Sequence, residues 1–407
     1  MTTSFSDLSQ ELIDEVIDRL AILDVYSLPS ISLISRSFQH RAQFHIFYTL
    51  HFGLLGDGFD PDDRRSRRLE SLHDALLGQP RLTTYPHRLI LTPFYNDSNW
   101  IHENQTFLAI IGMLENLSKI VIHGAGTHNA TFKDNQAFMN IFWKPLIQPR
   151  LKSLTLNFVS EAPFEMLMPC PHLTTLHLGT TFFKPPRENV SIIPLKLDML
   201  SCHSSPRSIE PRLLQLFRKQ HYSSKRKEFI NDHVLREAAN SLRILSLSET
   251  AEIRPVDLNV LRRLHTLKFS FQLPQFAHLT PLGYDPITCV TAALEASPKD
   301  SVLRCLNLIV NIRAPSQPDT IDWLHERSWS HLDQAIAGWQ EKVGTRIAVD
   351  VNFSRVFFNG PRMDNEELYT QYKEGMAAFK TDKFPLSCSH PLITFTYAYK
   401  LNSPSKR

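Results

Sequence analysis

The groups in this chain that could do chemistry are numerous but scattered. Eighteen histidines and five cysteines could ligate metal or carry protons, yet a metal needs three or four of them at one point with ligand spacing. His325 and His331 lie six residues apart, off the i, i+4 step that stacks two side chains on one helical face. His172 and His177 flank a strand-like block near Cys170, but Pro169 and Pro171 give that stretch the spelling of a turn. Cys170, Cys202, Cys289, Cys305 and Cys388 are odd in number, contain no CxxC, and read as small buried hydrophobes in a reducing compartment. The pairs Asp62-Asp63 and Glu366-Glu367 are solvated charges, because an acid/base couple needs an environment that sets two pKa values apart. Phosphate-cradling, dinucleotide, nucleophile-elbow and HExxH motifs do not occur, and glycine is scarce at 13 of 407 residues. The residues predict no catalytic site, no metal and no cofactor. An enzyme would require a deep pocket that gathers distant His, Cys and acidic residues.

Charge is equally uncommitted. Forty-four Lys plus Arg against 41 Asp plus Glu leave +3, too little for bulk electrostatics to choose a partner. The basic run Arg64-Arg65-Ser66-Arg67-Arg68 could engage phosphates or an import receptor, but Asp60, Asp62 and Asp63 partly neutralise it, and a second run is Lys225-Arg226-Lys227. Few aromatics interleave with either run, so nucleic acid is not expected as a partner. The longest apolar run, Phe107 to Leu114, falls far short of the ~18 residues that span a bilayer, and the N-terminus lacks a signal-peptide pattern. No membrane association is expected, and the expected location is cytoplasmic, nuclear or both.

The elements that must position these residues begin with helices. Leu8, Leu12, Ile13, Val16, Ile17 and Leu20 recur at helical steps, Ser9 is a candidate N-cap, and Glu11 sits where the helix dipole favours an acid. Asp24 can cap a second helix, with Leu28, Ile31, Leu33 and Ile34 as its apolar set and Pro29 tolerated only in its first turn. A third helix is predicted from Phe38 to Leu50. So small a unit cannot hide all of its apolar surface, and an exposed remainder calls for a partner.

Three blocks of this segment stand in a familiar order: Leu8-Ser9-Gln10-Glu11-Leu12-Ile13, Val16-Ile17-Asp18-Arg19-Leu20, and Leu33-Ile34-Ser35-Arg36-Ser37-Phe38. Together they resemble an F-box, and Arg41 to Phe47 is similar to the helix that closes the module in many fungal F-box proteins. The segment departs from the family at Ser9, where Pro is usual, at Phe38, where Trp is usual, and at Pro29. The resemblance implies that residues 5–52 dock on a Skp-type linker through Leu8, Leu12, Ile13, Ile17, Leu28, Leu33, Ile34 and Phe38. The residues alone also fit an ordinary helical subdomain packed on the rest of the chain.

Beyond a linker or loop at 53–84, strand-like blocks share the spelling LxxLxL. Leu151, Leu154 and Leu156 form one, and blocks beginning at Leu173, Leu197, Leu242, Leu264 and Leu303 repeat it, with Leu117, Ile120 and Ile122 as an earlier member. Spacings near 22 residues recur, within the range of leucine-rich repeats. Strands turn alternate side chains to opposite faces, so the second and third Leu of each block point into a common core. Further strands are predicted near Arg88 to Thr92, Arg346 to Phe353 and Leu392 to Tyr399. Helices are predicted at Asp134 to Ile147, Lys227 to Asn240, Pro286 to Ala296, Trp323 to Val343 and Asn365 to Phe379.

The expected fold class is therefore α/β. It comprises a three-helix F-box, a leucine-rich-repeat-like solenoid of parallel strands over 85–400 and a tail at 401–407. A non-solenoid α/β domain is the alternative. The repeat region resembles the one that follows the F-box in many fungal proteins. That implies a non-catalytic substrate adaptor of an SCF-type cullin-RING ubiquitin ligase, with the Skp-type linker, the cullin and an unknown protein target as partners. Thr155, Asn157, His177, His203, Ser246, Lys268 and Asn307 are the candidate target-binding face. The alternative function is an interaction scaffold without ubiquitin transfer.

Overall fold

The apolar spacing of the first residues produces the helix it predicts. In the computed structural model, helix α1 (Gln10–Leu23) follows Ser9 at the N-cap position. The structure describes residues 8–53, 62–92, 100–124, 130–131, 135–160, 162–167, 170–179, 181, 183–184, 195–203, 238–248, 258, 261–273, 286–314, 328–358 and 366–401. The carboxylate of Asp24 accepts from the Tyr26 amide at 3.1 Å and closes a short turn. That turn leads into the single-turn helix α2 (Leu28–Ile31), with Pro29 in its first turn as its missing N–H requires. Helix α3 (Arg36–Tyr48) completes the group. Ile13, Ile17, Leu28 and Ala42 are its buried core, packed by Leu20, Ala21, Phe38 and Ile46. Asp18 clasps α1 to α3, taking two bonds from the Arg41 guanidinium at 2.5 and 2.6 Å and one contact from His45 Nε2 at 2.7 Å.

The chain then builds a parallel sheet of eleven strands in strict sequence order. They are β1 (Thr49–Gly53), β2 (Arg88–Thr92), β3 (Lys119–His123), β4 (Ser153–Asn157), β5 (Thr175–Gly179), β6 (Met199–His203), β7 (Ile244–Ser248), β8 (Thr266–Leu273), β9 (Cys305–Ala314), β10 (Ile347–Phe358) and β11 (Ile393–Leu401). Parallel neighbours cannot be joined by a hairpin, so each connection must cross back outside the sheet. Every LxxLxL block carries one of these strands. The chain divides into two units, residues 1–175 with 179–195, and residues 176–178 with 196–407.

In the first unit Leu89, Leu91, Ile120, Ile122, Leu154 and Leu156 turn to the buried face of β2–β4. Helices α4 (Asp62–Gly78), α5 (Trp100–Glu103) and α6 (Gln105–Met113) belong to this unit. So does α7 (Asn135–Ala137), which runs on as a π-helix over Phe138–Ile147. Phe107 is the hub of its apolar packing, touching the rings of Phe52, Trp100 and Phe142. Pro145 falls inside the π-helical stretch, where a wider turn accommodates a ring that would clash with the preceding turn of an α-helix.

Two expectations are corrected in this unit. The stretch 53–84, expected to be a linker or loop, holds α4, with Leu69 and Leu76 buried and Leu72 and His73 half-buried at i, i+3, i+4 and i+7. The basic run therefore sits on a helix, although 54–61 lies outside the described residues. The sheet also begins at Thr49, inside the segment assigned to the helical module, because Leu50 and Phe52 alternate inward and α3 passes into β1 without a connecting residue. Tyr48 stacks on His87, Phe44 packs edge-on to Tyr85 and His87, and the His87 amide donates to the Tyr48 carbonyl at 3.0 Å.

In the second unit Leu200, Leu245, Leu267, Phe269, Leu306, Leu308, Val349 and Val351 form the buried face. Helix α8 (Pro286–Glu295), α9 (Trp329–Val343), α10 (Glu366–Lys383) and α11 (Pro385–Ser389) fall within a few residues of their expected bounds, except the unforeseen α11. Gly344 ends α9 in the left-handed conformation at φ +64°, the usual helix stop. Trp329, Phe353, Phe379 and Phe384 form an aromatic nest beneath β10 and β11. The buried Asp333 of α9 accepts from the Leu386 and Ser387 amides, both at 2.9 Å, and from the Ser387 hydroxyl, so it caps α11 from 53 residues away. The expected helix at Lys227 to Asn240 lies outside the described residues except for its last three. The run Lys225 to Lys227 and His325 also lie outside them. Among the described residues no helix is long and apolar enough to cross a membrane.

Candidate functional site

Helix α1 carries two apolar stripes. At about 100° per residue, Leu20, Ile13, Ile17 and Ala21 share one arc of about 100°, and Leu12, Leu23 and Val16 share a neighbouring arc of about 40°. The first stripe meets α2 and α3 in the core, and the second is half to largely exposed. Leu12 and Val16 are about half exposed, and Ile22, Leu23, Leu33 and Ile34 are 83, 82, 85 and 69% exposed. Tyr26, Val25 and Leu8 add to the same exposed set. So much uncovered aliphatic surface on three short helices makes this face a candidate interaction site.

The eight residues expected to touch a linker therefore separate. Leu8, Leu12, Leu33 and Ile34 face solvent. Ile13, Ile17 and Leu28 are buried at 5, 1 and 0% exposure and hold the helices to one another, and Phe38 packs against the same core. A buried side chain cannot at once fill its own module and contact a partner, so Ile13, Ile17 and Leu28 act by shaping the surface, while Phe38 is only half-buried. Val16, read from the sequence as part of the apolar face but not as a linker contact, belongs to the exposed set, as do Ile22 and Leu23, which were not singled out. The two-stripe pattern on α1 was the available signal for Val16 and Leu23.

The second candidate surface is the outward face of the sheet. In the second unit the register aligns Ser201, Ser246, Lys268, Asn307, Asp350 and Thr396 in one row across six strands. Ser246, Lys268 and Asn307 from the expected set are thus direct neighbours, and His203 stands opposite Ser248 one row further on. His177 is half-buried on β5. Asp350 and Thr396 were missed because β10 and β11 lack the leucine spelling, although both strands were expected. Cys305 lies beside this row, and burial, reinforced by the negative charge of Asp350, raises its thiol pKa.

In the first unit Thr155 and Asn157 share β4, and register places Val121 and His123 beside them. The Asn157 amide donates to His123 Nδ1 at 3.1 Å, which leaves the proton of the neutral ring on Nε2. His51 Nε2 lies 3.2 Å from the Thr92 hydroxyl. Burial lowers the pKa of both imidazoles, and the nearby His51 and Arg88 lower that of His123 further. Asn157 also crowds Gly179, where a Cβ would stand 2.3 Å from the Asn157 side-chain oxygen Oδ1.

The expectation of five small buried hydrophobes holds for Cys289 alone, since Cys170, Cys202 and Cys305 are half-buried and Cys388 is exposed. Burial pushes the thiols of Cys170 and Cys202 up to about 12, so neither is a thiolate at neutral pH. Among the described residues no three His, Cys, Asp or Glu are grouped to hold a metal. A cavity of about 290 Å³, lined by Thr288, Thr291, Glu295, Ser328, His331 and Gln334, lies in the second unit. No protein-family model matches the chain, and no curated protein matches it.

Proposed function

We propose that this chain is a non-catalytic substrate-recognition adaptor of an SCF-type cullin-RING ubiquitin ligase. The N-terminal helices form an F-box that docks on the Skp-type linker, and the outward face of a leucine-rich-repeat-like array holds the protein target. The observation that carries the reading is the uncovered aliphatic surface of Leu12, Val16, Ile22, Leu23, Leu33 and Ile34 on helices whose own core is already complete. The strict chain order of parallel strands, each spelled by a leucine block or a degenerate version of one, favours a solenoid. In this role no residue reacts. The chain supplies proximity, holding a target lysine at high effective concentration near the ubiquitin-charged conjugating enzyme.

The test is co-purification of the full chain with a Skp-type linker. Leu12→Asp and Ile34→Asp should abolish capture while leaving the fold intact, because both side chains lie outside the core. Ile17→Asp would not discriminate, since it would disrupt the helices themselves. A folded chain that fails to bind the linker, or variants that bind as well as the natural chain, would sink the adaptor role and leave an interaction scaffold without ubiquitin transfer.

A further inference from the structure

We propose that the outward face of β1–β4 binds an extended acidic peptide of the pattern acid-x-aliphatic-x-acid. The inference rests on the target-binding half of the function proposed above and is independent of linker docking. The twelve outward positions of these strands include Arg88, Lys119, His51 and His123 and no carboxylate. Arg88 and Lys119 stand directly opposite each other in register, an arrangement that costs stability through like-charge repulsion. Neither has an ion-pair partner among the described residues, so the repulsion awaits an anion from outside.

The next row toward the strand C-termini is apolar, with Ile90 half-buried beside Val121, which is itself buried at 5% exposure, so Ile90 is the accessible aliphatic of that row. The row beyond it offers His123, whose Nε2–H is left to donate because Nδ1 already accepts from Asn157. Alternate side chains of an extended chain are about 6.7 Å apart, the same as the spacing between successive rows on one sheet face. A peptide lying along β2 and β3 would therefore place one acid on Arg88 and Lys119, an aliphatic side chain on Ile90, and a second acid at His123. Nucleic acid fits less well, since the outward positions include no Phe, Tyr or Trp on which bases could stack.

The test is fluorescence anisotropy of a labelled Ser-Glu-Ser-Leu-Ser-Glu-Ser peptide titrated with the full chain, beside the same peptide with Lys in place of both Glu. The acidic peptide should bind at least about tenfold tighter, and an Arg88→Gln/Lys119→Gln variant should lose about tenfold of that binding. The glutamines relieve the repulsion without introducing charge, so the variant should melt no lower than the natural chain. Arg88→Glu/Lys119→Glu should reverse the preference in favour of the lysine peptide. Equal binding of the two peptides, no binding of either, unchanged binding by the glutamine variant, or displacement of the peptide by a single-stranded oligonucleotide would each overturn the proposal. Linker capture by the same preparations is scored separately, so failure of peptide binding leaves the docking experiment intact, and the converse also holds.

Discussion

The N-terminal helices and the C-terminal end of the second unit hold similar apolar stock and dispose of it in opposite ways. Around α9 the large rings of Trp329, Phe353, Phe379 and Phe384 close on one another, and the one buried carboxylate there, Asp333, satisfies three donors. Around α1 four small aliphatic positions suffice for a core, while a larger set stays in water. One is complete within the chain, and the other presents a finished framework with an unfinished surface.

The contrast is sharpest if a ring is removed from the nest. Trp329→Ala should cost roughly 3–5 kcal/mol, read as a fall in the denaturant midpoint. A change under 1 kcal/mol would mean that the nest is looser than its ring contacts imply. Next in size is Asp333→Ala, which leaves two amides and a hydroxyl unpaired and should cost about 2–3 kcal/mol. Hydrogen exchange at the Leu386 and Ser387 amides should rise selectively, and unchanged exchange there would refute the capping role.

On the other side of the comparison the expected effects are small. The Arg41 guanidinium, with help from His45, holds the Asp18 carboxyl down to about 2. Its stabilising contribution is therefore full above the ordinary value of 3.8 and is lost as pH falls through about 2. Because the pair is one-third exposed, solvent screening limits the contribution to about 1 kcal/mol or less. An acid titration of the natural chain against Asp18→Asn should show the difference vanish between pH 4 and 2. Smallest of all is Ile34→Asp, expected to move stability by no more than about 0.5 kcal/mol. A loss as large as that of Trp329→Ala would show that the N-terminal surface is covered within the chain after all.

Legibility in the sequence followed how many constraints each element obeys. The strands from β3 to β9 were spelled by their leucines, because a strand buried on one face by its neighbours must alternate. Helix α1 was equally plain, with spacing, cap and first-turn acid in agreement. Strand β1 was not, since Thr-Leu-His-Phe-Gly follows a helical stretch without a breaker and five residues are too few to assert a period. Helix α4 was hidden by its charged start, although Leu69, Leu72, His73 and Leu76 mark a helical face. Within the N-terminal helices, sequence identified apolar residues but could not divide those facing a core from those facing water. That division depends on where α2 and α3 pack. On the sheet the outward rows cross strands distant in sequence, so Asp350 and the cluster of His51, Arg88, Lys119 and His123 emerged only once the register was known.

The uninterrupted passage from Tyr48 to Thr49 means that the N-terminal helices are no detachable cassette. A truncation there would strip His87 and Tyr85 of their aromatic cover, and one placed after Gly53 would also leave the β2 edge of the sheet bare. Grafting these helices onto another protein would require carrying β1 and its pairing with β2 as well. A spacer inserted at that junction would uncouple the orientation of the helices from that of the first strands, converting a fixed lever into a tether.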